Sequence, residues 1–167
     1  MTAKRFVSAL LALLLSLSLT ACGSKKSDYR DDVSAASLSD TVSAIIPVES
    51  GYDLSDDDFL TYHFEGNTAI DDYVIAASSA SSDVNEYGIL HVNDPDKVEE
   101  IRRLADVYLT VQRDFLSSFL NTYNAAEMDK LDQMSVKVFG NYVVYTILSK
   151  EDTAAVHEAV EEALKQQ

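Results

Sequence analysis

The chain has 167 residues, with 28 Asp and Glu against 13 Lys and Arg for a formal charge of −15, and 47% of its residues are hydrophobic. Such a charge repels nucleic-acid phosphates and anionic lipid headgroups, and admits cationic partners or divalent ions. The length supports one buried core, and a lone cysteine, Cys22, excludes an internal disulfide.

In chain order, Lys4 and Arg5 precede an apolar run from Phe6 to Leu19, which ends in Thr20, Ala21 and Cys22. A basic start, a short apolar stretch and a small-residue exit are the parts of a secretory signal. The run is roughly 14 residues, against the about 20 that a bilayer-spanning helix needs, and Gly23-Ser24-Lys25-Lys26 follows at once. Leu19-Thr20-Ala21-Cys22 resembles the bacterial lipobox. The resemblance implies cleavage after Ala21, a diacylglycerol on the Cys22 thiol, and a mature chain held by its lipid on the outer face of the cytoplasmic membrane. Each buried CH₂ contributes about 0.8 kcal/mol, and two acyl chains anchor stably where one binds reversibly. Removing residues 1–21 takes Lys4 and Arg5 away, which leaves 11 bases against 28 acids, a charge of −17. Residues 22–32 are polar and without apolar period and read as a flexible tether, with residues 33–167 as a single domain.

Leu38, Val42 and Ile45 fall at i, i+4 and i+7 and Pro47 stops the run, so the spacing predicts a helix over about 33–46. Residues 48–52 read as a loop. Ser55, followed by acids, starts a short helix of two turns. Ala69–Ala77 and Glu86–Val92 have β-branched and aromatic content and read as two neighbouring antiparallel strands. Asn93 or Asp94, with Pro95 just inside, opens the longest helix, about 95–121. Val98, Ile101, Leu104, Ala105, Tyr108, Phe115 and Phe119 mark its buried face. A second short helix covers Ala125–Met134. Residues 135–148 form a hairpin around Gly140-Asn141, whose glycine suits a type II′ turn and sets Val138 opposite Val143 and Val136 opposite Tyr145. Ser149 caps a last helix, with Val156, Val160 and Leu164 buried. This order implies an α+β fold: a two-layer sandwich, with a four-stranded, mainly antiparallel sheet of two hairpins and helices on one face.

Motif-bearing chemistry is sparse. Asp53, Ser55 and Asp57 alternate like a calcium loop, but Asp58 stands where an EF-hand needs Gly and Phe64 where it needs Glu. His63, His91 and His157 are too far apart in sequence for a metal motif. No G-x-S-x-G elbow or glycine-rich phosphate loop is present. Asp56 with Glu65 is a carboxylate pair of the kind glycan hydrolysis uses, although chance supplies such pairs among 28 acids. Tyr62-His63-Phe64, with Tyr123 and Tyr145, is a candidate aromatic surface, weighed against the edges of a core.

The segment Ile70–Leu164 resembles a family of small Gram-positive bacterial lipoproteins known only as domain of unknown function 4358. The residues that carry it are Asp72-Tyr-Val-Ile75, the strand Glu86–Val92, Asp94-Pro-Asp-Lys-Val-Glu99, and Val136-Lys-Val-Phe-Gly-Asn-Tyr-Val143 before a closing helix. The resemblance implies the same architecture and a membrane address, and lends no activity. The expected function is a lipid-anchored, non-enzymatic binding or scaffolding module at the cell envelope. It would meet the membrane through the lipid on Cys22, take an envelope protein as partner, and use no nucleic acid, cofactor or metal. The alternatives are a wall-directed hydrolase with acidic catalytic residues and an accessory ligand-binding component of a transport or sporulation assembly.

Overall fold

The computed structural model describes residues 28–46, 48, 50–53, 57–78 and 83–165. Ala21 and Cys22 lie outside them, as do Ser55 and Asp56 and therefore the calcium-loop and Asp56–Glu65 readings.

Five strands form one antiparallel sheet: β1 (Ser50–Asp53), β2 (Ile70–Ser78), β3 (Glu86–Val92), β4 (Ser135–Phe139) and β5 (Tyr142–Ile147), in the order β1-β2-β3-β5-β4. The two expected hairpins are its body, joined where Glu86 of β3 faces Ile147 of β5. β1 is an addition. Three of its four residues, 50–52, sit in the stretch read as a loop, and they become a strand with Asp53 by pairing with Ala76, Ala77 and Ser78. Gly140 has φ +58, as a type II′ turn requires at its first central position. Val138 then faces Val143 and Val136 faces Tyr145.

The helices are α1 (Ala35–Ser43), α2 (Asp57–His63), α3 (Val98–Tyr123), α4 (Met128–Asp132) and α5 (Lys150–Leu164), with 3₁₀ turns at Pro95–Lys97 and Ala125–Glu127. Asp94 caps the first turn by accepting from the Asp96 N–H at 3.0 Å, and Ser149 caps α5 by accepting from the Asp152 N–H at 3.1 Å.

The class is α+β as expected, but the helices cover both faces of the sheet. Leu90, Val92, Val143, Tyr145 and Ile147 pack with α2 and α3, while Tyr87, Ile89, Tyr142 and Val144 pack with α1 and α5. β5 is buried at every position. An antiparallel strand reading Tyr-Val-Val-Tyr-Thr-Ile reaches that state only when it is covered on both sides. The layers are therefore three.

Two further expectations change. α1 ends at Ser43, so Ile46 turns inward while Ile45 is 52% exposed. The tether does not run free to residue 32. Tyr29 bridges Lys165, and the Arg30 N–H donates to the Leu164 carbonyl at 2.7 Å. The Tyr142 hydroxyl donates to the Val33 carbonyl at 2.6 Å, and the Ala35 N–H donates to Asp72 at 2.7 Å. Residues 29–35 are a strap bound to the domain.

Candidate functional site

Among the described residues, three constellations of polar or aromatic side chains stand out.

The first lies inside. Glu86 begins β3 and is buried, and one of its carboxylate oxygens accepts from the Tyr108 hydroxyl at 2.7 Å and from the Tyr145 hydroxyl at 2.8 Å. Burial raises the pKa of Glu86 against the opposing pull of the two tyrosine hydrogen bonds. Burial and the adjoining Glu86 charge also push Tyr108 and Tyr145 up. Gly88 makes the arrangement possible: it faces Tyr145 across the β3–β5 pair, and a Cβ there would stand 2.5 Å from Cζ and 2.8 Å from Cδ1 of the Tyr145 ring, and closer still to Cε1. The ring crosses over the bare glycine to reach Glu86. Tyr108 in turn is flanked by Phe59, His63 and Phe64, with ring centroids at 5.4, 4.8 and 6.3 Å. This triad is enclosed, so Glu86 is presented to the core and not to a substrate.

The second holds the strap. His91 near the end of β3 has Nδ1 at 2.6 Å from Asp71 and Nε2 at 3.0 Å from Asp31. When the imidazole is doubly protonated, both nitrogens donate to these carboxylates. Burial lowers its pKa, and the hydrogen bonds and charges of Asp71 and Asp31 outweigh that to raise it. Asp32, Asp72 and Tyr142 line the same open depression. Among the described residues no group of three or more His, Cys, Asp or Glu is placed to hold a metal ion.

The third is on α3. Tyr108 already meets the first residue of β3, and 15 more residues follow it. At 1.5 Å per residue, α3 runs about 22 Å beyond that point. Phe115 and Phe119 lie seven and eleven positions after Tyr108 and so keep to its face of the helix, as the periodicity implied. They are nevertheless 76% and 41% exposed, a correction to their expected burial. The period was right, but the sheet ends before them. In this half of the helix only Leu120 is fully buried, and Arg113 donates to the Leu131 carbonyl of α4 at 2.6 Å. Val107, Val111, Phe115, Phe119 and Tyr123 thus form one exposed row at i+4 spacing with no charge in it. The rings of Phe119 and Tyr123 lie 5.0 Å apart. Beside the row, a cleft of about 230 Å³ opens between α3 and β4, lined by Asp106, Leu109, Thr110, Arg113, Met134 and Val136.

The candidate aromatic surface is divided. Tyr62 and Tyr123 are exposed, Phe64 and Tyr145 are fully buried, and His63 ends α2 half-buried against Phe59 and Tyr108. His157, expected on a helix surface, is half-buried edge-on to Phe139, and burial, with the nearby Lys137 charge, lowers its pKa to about 4. The three histidines stay apart. The row on α3 escaped sequence reasoning because Phe115 and Phe119, at its centre, were assigned to the core. Its one legible signal was the excess of apolar positions on α3, with Val107 and Val111 lying outside the stripe traced for its buried face.

Among the described residues no helix is long and apolar enough to cross a membrane. No curated protein and no solved structure matches the chain. The model of one family, described as "Domain of unknown function (DUF4358)", matches residues 50–148. That span holds the whole sheet, α2, α3 with its exposed row, and α4, and leaves out the strap, α1 and α5. On a match over more than half of its length, the chain belongs to the DUF4358 family.

Proposed function

We propose that this protein is a lipid-anchored, non-enzymatic binding or scaffolding module on the outer face of the cytoplasmic membrane, and that it engages a protein partner through the exposed row of α3. The observation that carries this reading is the row itself. Five apolar or aromatic side chains in contiguous i+4 array expose roughly 500–600 Å² of apolar surface, at the upper limit of what a soluble monomer leaves in one patch. Aromatic residues clear of charge are also the composition of an interface centre.

The anchor rests on the lipobox resemblance at Leu19–Cys22, and the strap supports the display geometry. From Cys22 to Tyr29 is seven residues, a reach of at most about 25 Å. Tyr29 bridges Lys165 and packs edge-on against Phe139, at the end of the sheet where the β4–β5 turn lies. α3 begins at that end and runs to the opposite one. An anchored domain would therefore hold the row away from the bilayer, toward envelope proteins. Confinement to that layer raises effective concentration, so a modest interface suffices.

Two measurements test the proposal. Labelled fatty acid is expected in the parent chain and not in Cys22→Ala. A photo-crosslinker at Phe115 is expected to give a discrete protein adduct on intact cells, lost when Val111 and Phe119 are both changed to Asp. Unlabelled parent chain would remove the anchor, and adducts that survive the aspartates would remove the row.

A further inference from the structure

We infer that the free edge of β4 takes an extended segment of a partner protein as an added strand, antiparallel to β4. The segment seats an aliphatic side chain in the cleft beside α3 and sets a carboxylate, two residues later, on Arg113. This surface is separate from the row on α3 and does not depend on the anchor.

β4 is the last strand of the sheet, with β5 as its neighbour. The Val92 N–H donates to the Asn141 carbonyl at 2.9 Å, so Asn141, Val143, Tyr145 and Ile147 turn their backbone groups toward β3. Such directions alternate along an antiparallel strand, which leaves Tyr142, Val144 and Thr146 to bond Phe139, Lys137 and Ser135 of β4. Val136 and Val138 therefore present N–H and C=O outward, and among the described residues no turn, loop or side chain bonds them. Two donors and two acceptors in register fit an extended backbone, as in recognition by strand addition. The opposite edge is a poorer template: β1 has four residues, and its register with β2 shifts between Ser50 and Tyr52. β4 pairs without a shift and has no proline. Lys137 lies on the other face of β4, with Nζ 3.4 Å from Glu161 and 4.7 Å over the Phe139 ring, and does not guard the edge.

The cleft supplies selectivity. Val136 and Val138 turn their side chains to the α3 face, and Val136 lines the cleft of about 230 Å³ with Leu109, Met134 and Arg113. That is less than the about 300–1,000 Å³ of small-molecule sites and suits one side chain of a longer ligand. A residue bonded to Val136 across the edge points its side chain to the same face, where the apolar wall favours Val, Ile or Leu. Asp106, the cleft's one acid, is held by Arg102, which leaves Arg113 without a carboxylate among the described residues. Arg113 donates to the Leu131 carbonyl at 2.6 Å, just before β4 begins, so its remaining N–H donors stand at the starting end of that strand. An antiparallel segment brings its later residues to that end, which fixes the order aliphatic, any residue, acid. The chain's charge of −15 favours a segment that is otherwise neutral or basic.

The full chain is used to select from a display library of random linear peptides, and the enriched sequence is titrated as a labelled synthetic peptide by fluorescence anisotropy. The expected result is enrichment of Val, Ile or Leu followed two positions later by Asp or Glu. N-methylation of that aliphatic residue removes the N–H offered to the Val136 carbonyl, leaves the protein untouched, and should abolish binding. Arg113→Gln should weaken binding roughly 10-fold or more, and changing the peptide's acid to its amide should then cost nothing further. Cys22→Ala should bind the peptide as the parent does, so a failed anchor leaves this surface standing. Selection without the aliphatic-to-acid order, binding that survives N-methylation, or additive losses at Arg113 and the peptide's acid would each overturn the inference. So would loss of the peptide when Val111 and Phe119 are both changed to Asp, because that result moves it to the row.

Discussion

Gly88→Ala tests whether the Tyr145–Glu86–Tyr108 triad is the rigid centre of the sheet. The added methyl carbon meets the Tyr145 ring at 2.5 Å from Cζ, about 1 Å inside van der Waals contact. The ring has nowhere to go: Tyr145 is fully buried, its hydroxyl is bound to Glu86 at 2.8 Å, and its face abuts Tyr108 at 5.3 Å between centroids. Overpacking of a tight core costs about 1–3 kcal/mol. If the ring shifts enough to release Glu86, a hydrogen bond to a buried acid is lost at about 1.5–3 kcal/mol. The expected destabilisation is about 3–5 kcal/mol, a large share of the 5–15 kcal/mol that domains of this kind possess. Urea unfolding, followed by circular dichroism, measures it, with the slope unchanged. Removing the ring should remove most of the clash, so Gly88→Ala combined with Tyr145→Val should cost at least about 2 kcal/mol less than the sum of the single changes. A Gly88→Ala cost under about 1 kcal/mol, or additive singles, would falsify the reasoning.

Other consequences are separable. Because the folded pKa of Glu86 is raised, its ionisation opposes folding: the parent is most stable below the unfolded value of about 4.3 and loses stability as pH rises from there through the folded value. Glu86→Gln keeps a carbonyl for both tyrosines and removes that slope, so its urea midpoint should gain on the parent's between pH 4 and 7.5; a pH-independent difference refutes this. Glu86→Leu strands two buried hydroxyls and should cost about 2–5 kcal/mol. His91 has a raised folded pKa, so its grip on Asp31 is complete below the unfolded value of about 6.5 and is lost as pH rises through the folded one. Amide exchange at Asp31–Ser34, corrected for its intrinsic rate, should accelerate over that window, and His91→Phe should abolish the pH dependence. Glu65 has φ +56, a conformation that strains any side chain, so Glu65→Gly should raise stability by about 0.5–1 kcal/mol in the same urea assay.

Local signals sufficed wherever the chain's own stereochemistry was enough. The Gly140-Asn141 turn, the register of Val136 and Val138 against β5 and the Ser149 cap all follow from residues within a few positions of one another. β1 escaped because four residues containing a glycine have no alternation to read; they are ordered by β2, a partner some 25 positions along the chain. The second layer of helices was legible only in the unbroken apolar run of β5. Glu86 read as an ordinary polar strand residue, and nothing local says that Tyr108 and Tyr145 will converge on it.

The amino-acid sequence alone determined the class of fold, the boundaries of the hairpins and long helices, the acidic surface, and the side of α3 on which Phe115 and Phe119 lie. Tertiary structure alone decided whether that side is covered. A helix's periodicity assigns directions, while burial depends on what stands opposite at each height, and α3 outruns the sheet by several turns. The fate of the strap was settled in the same way, since its attachments to His91, Tyr142 and Leu164 join residues that are far apart along the chain and close only after the strands have paired.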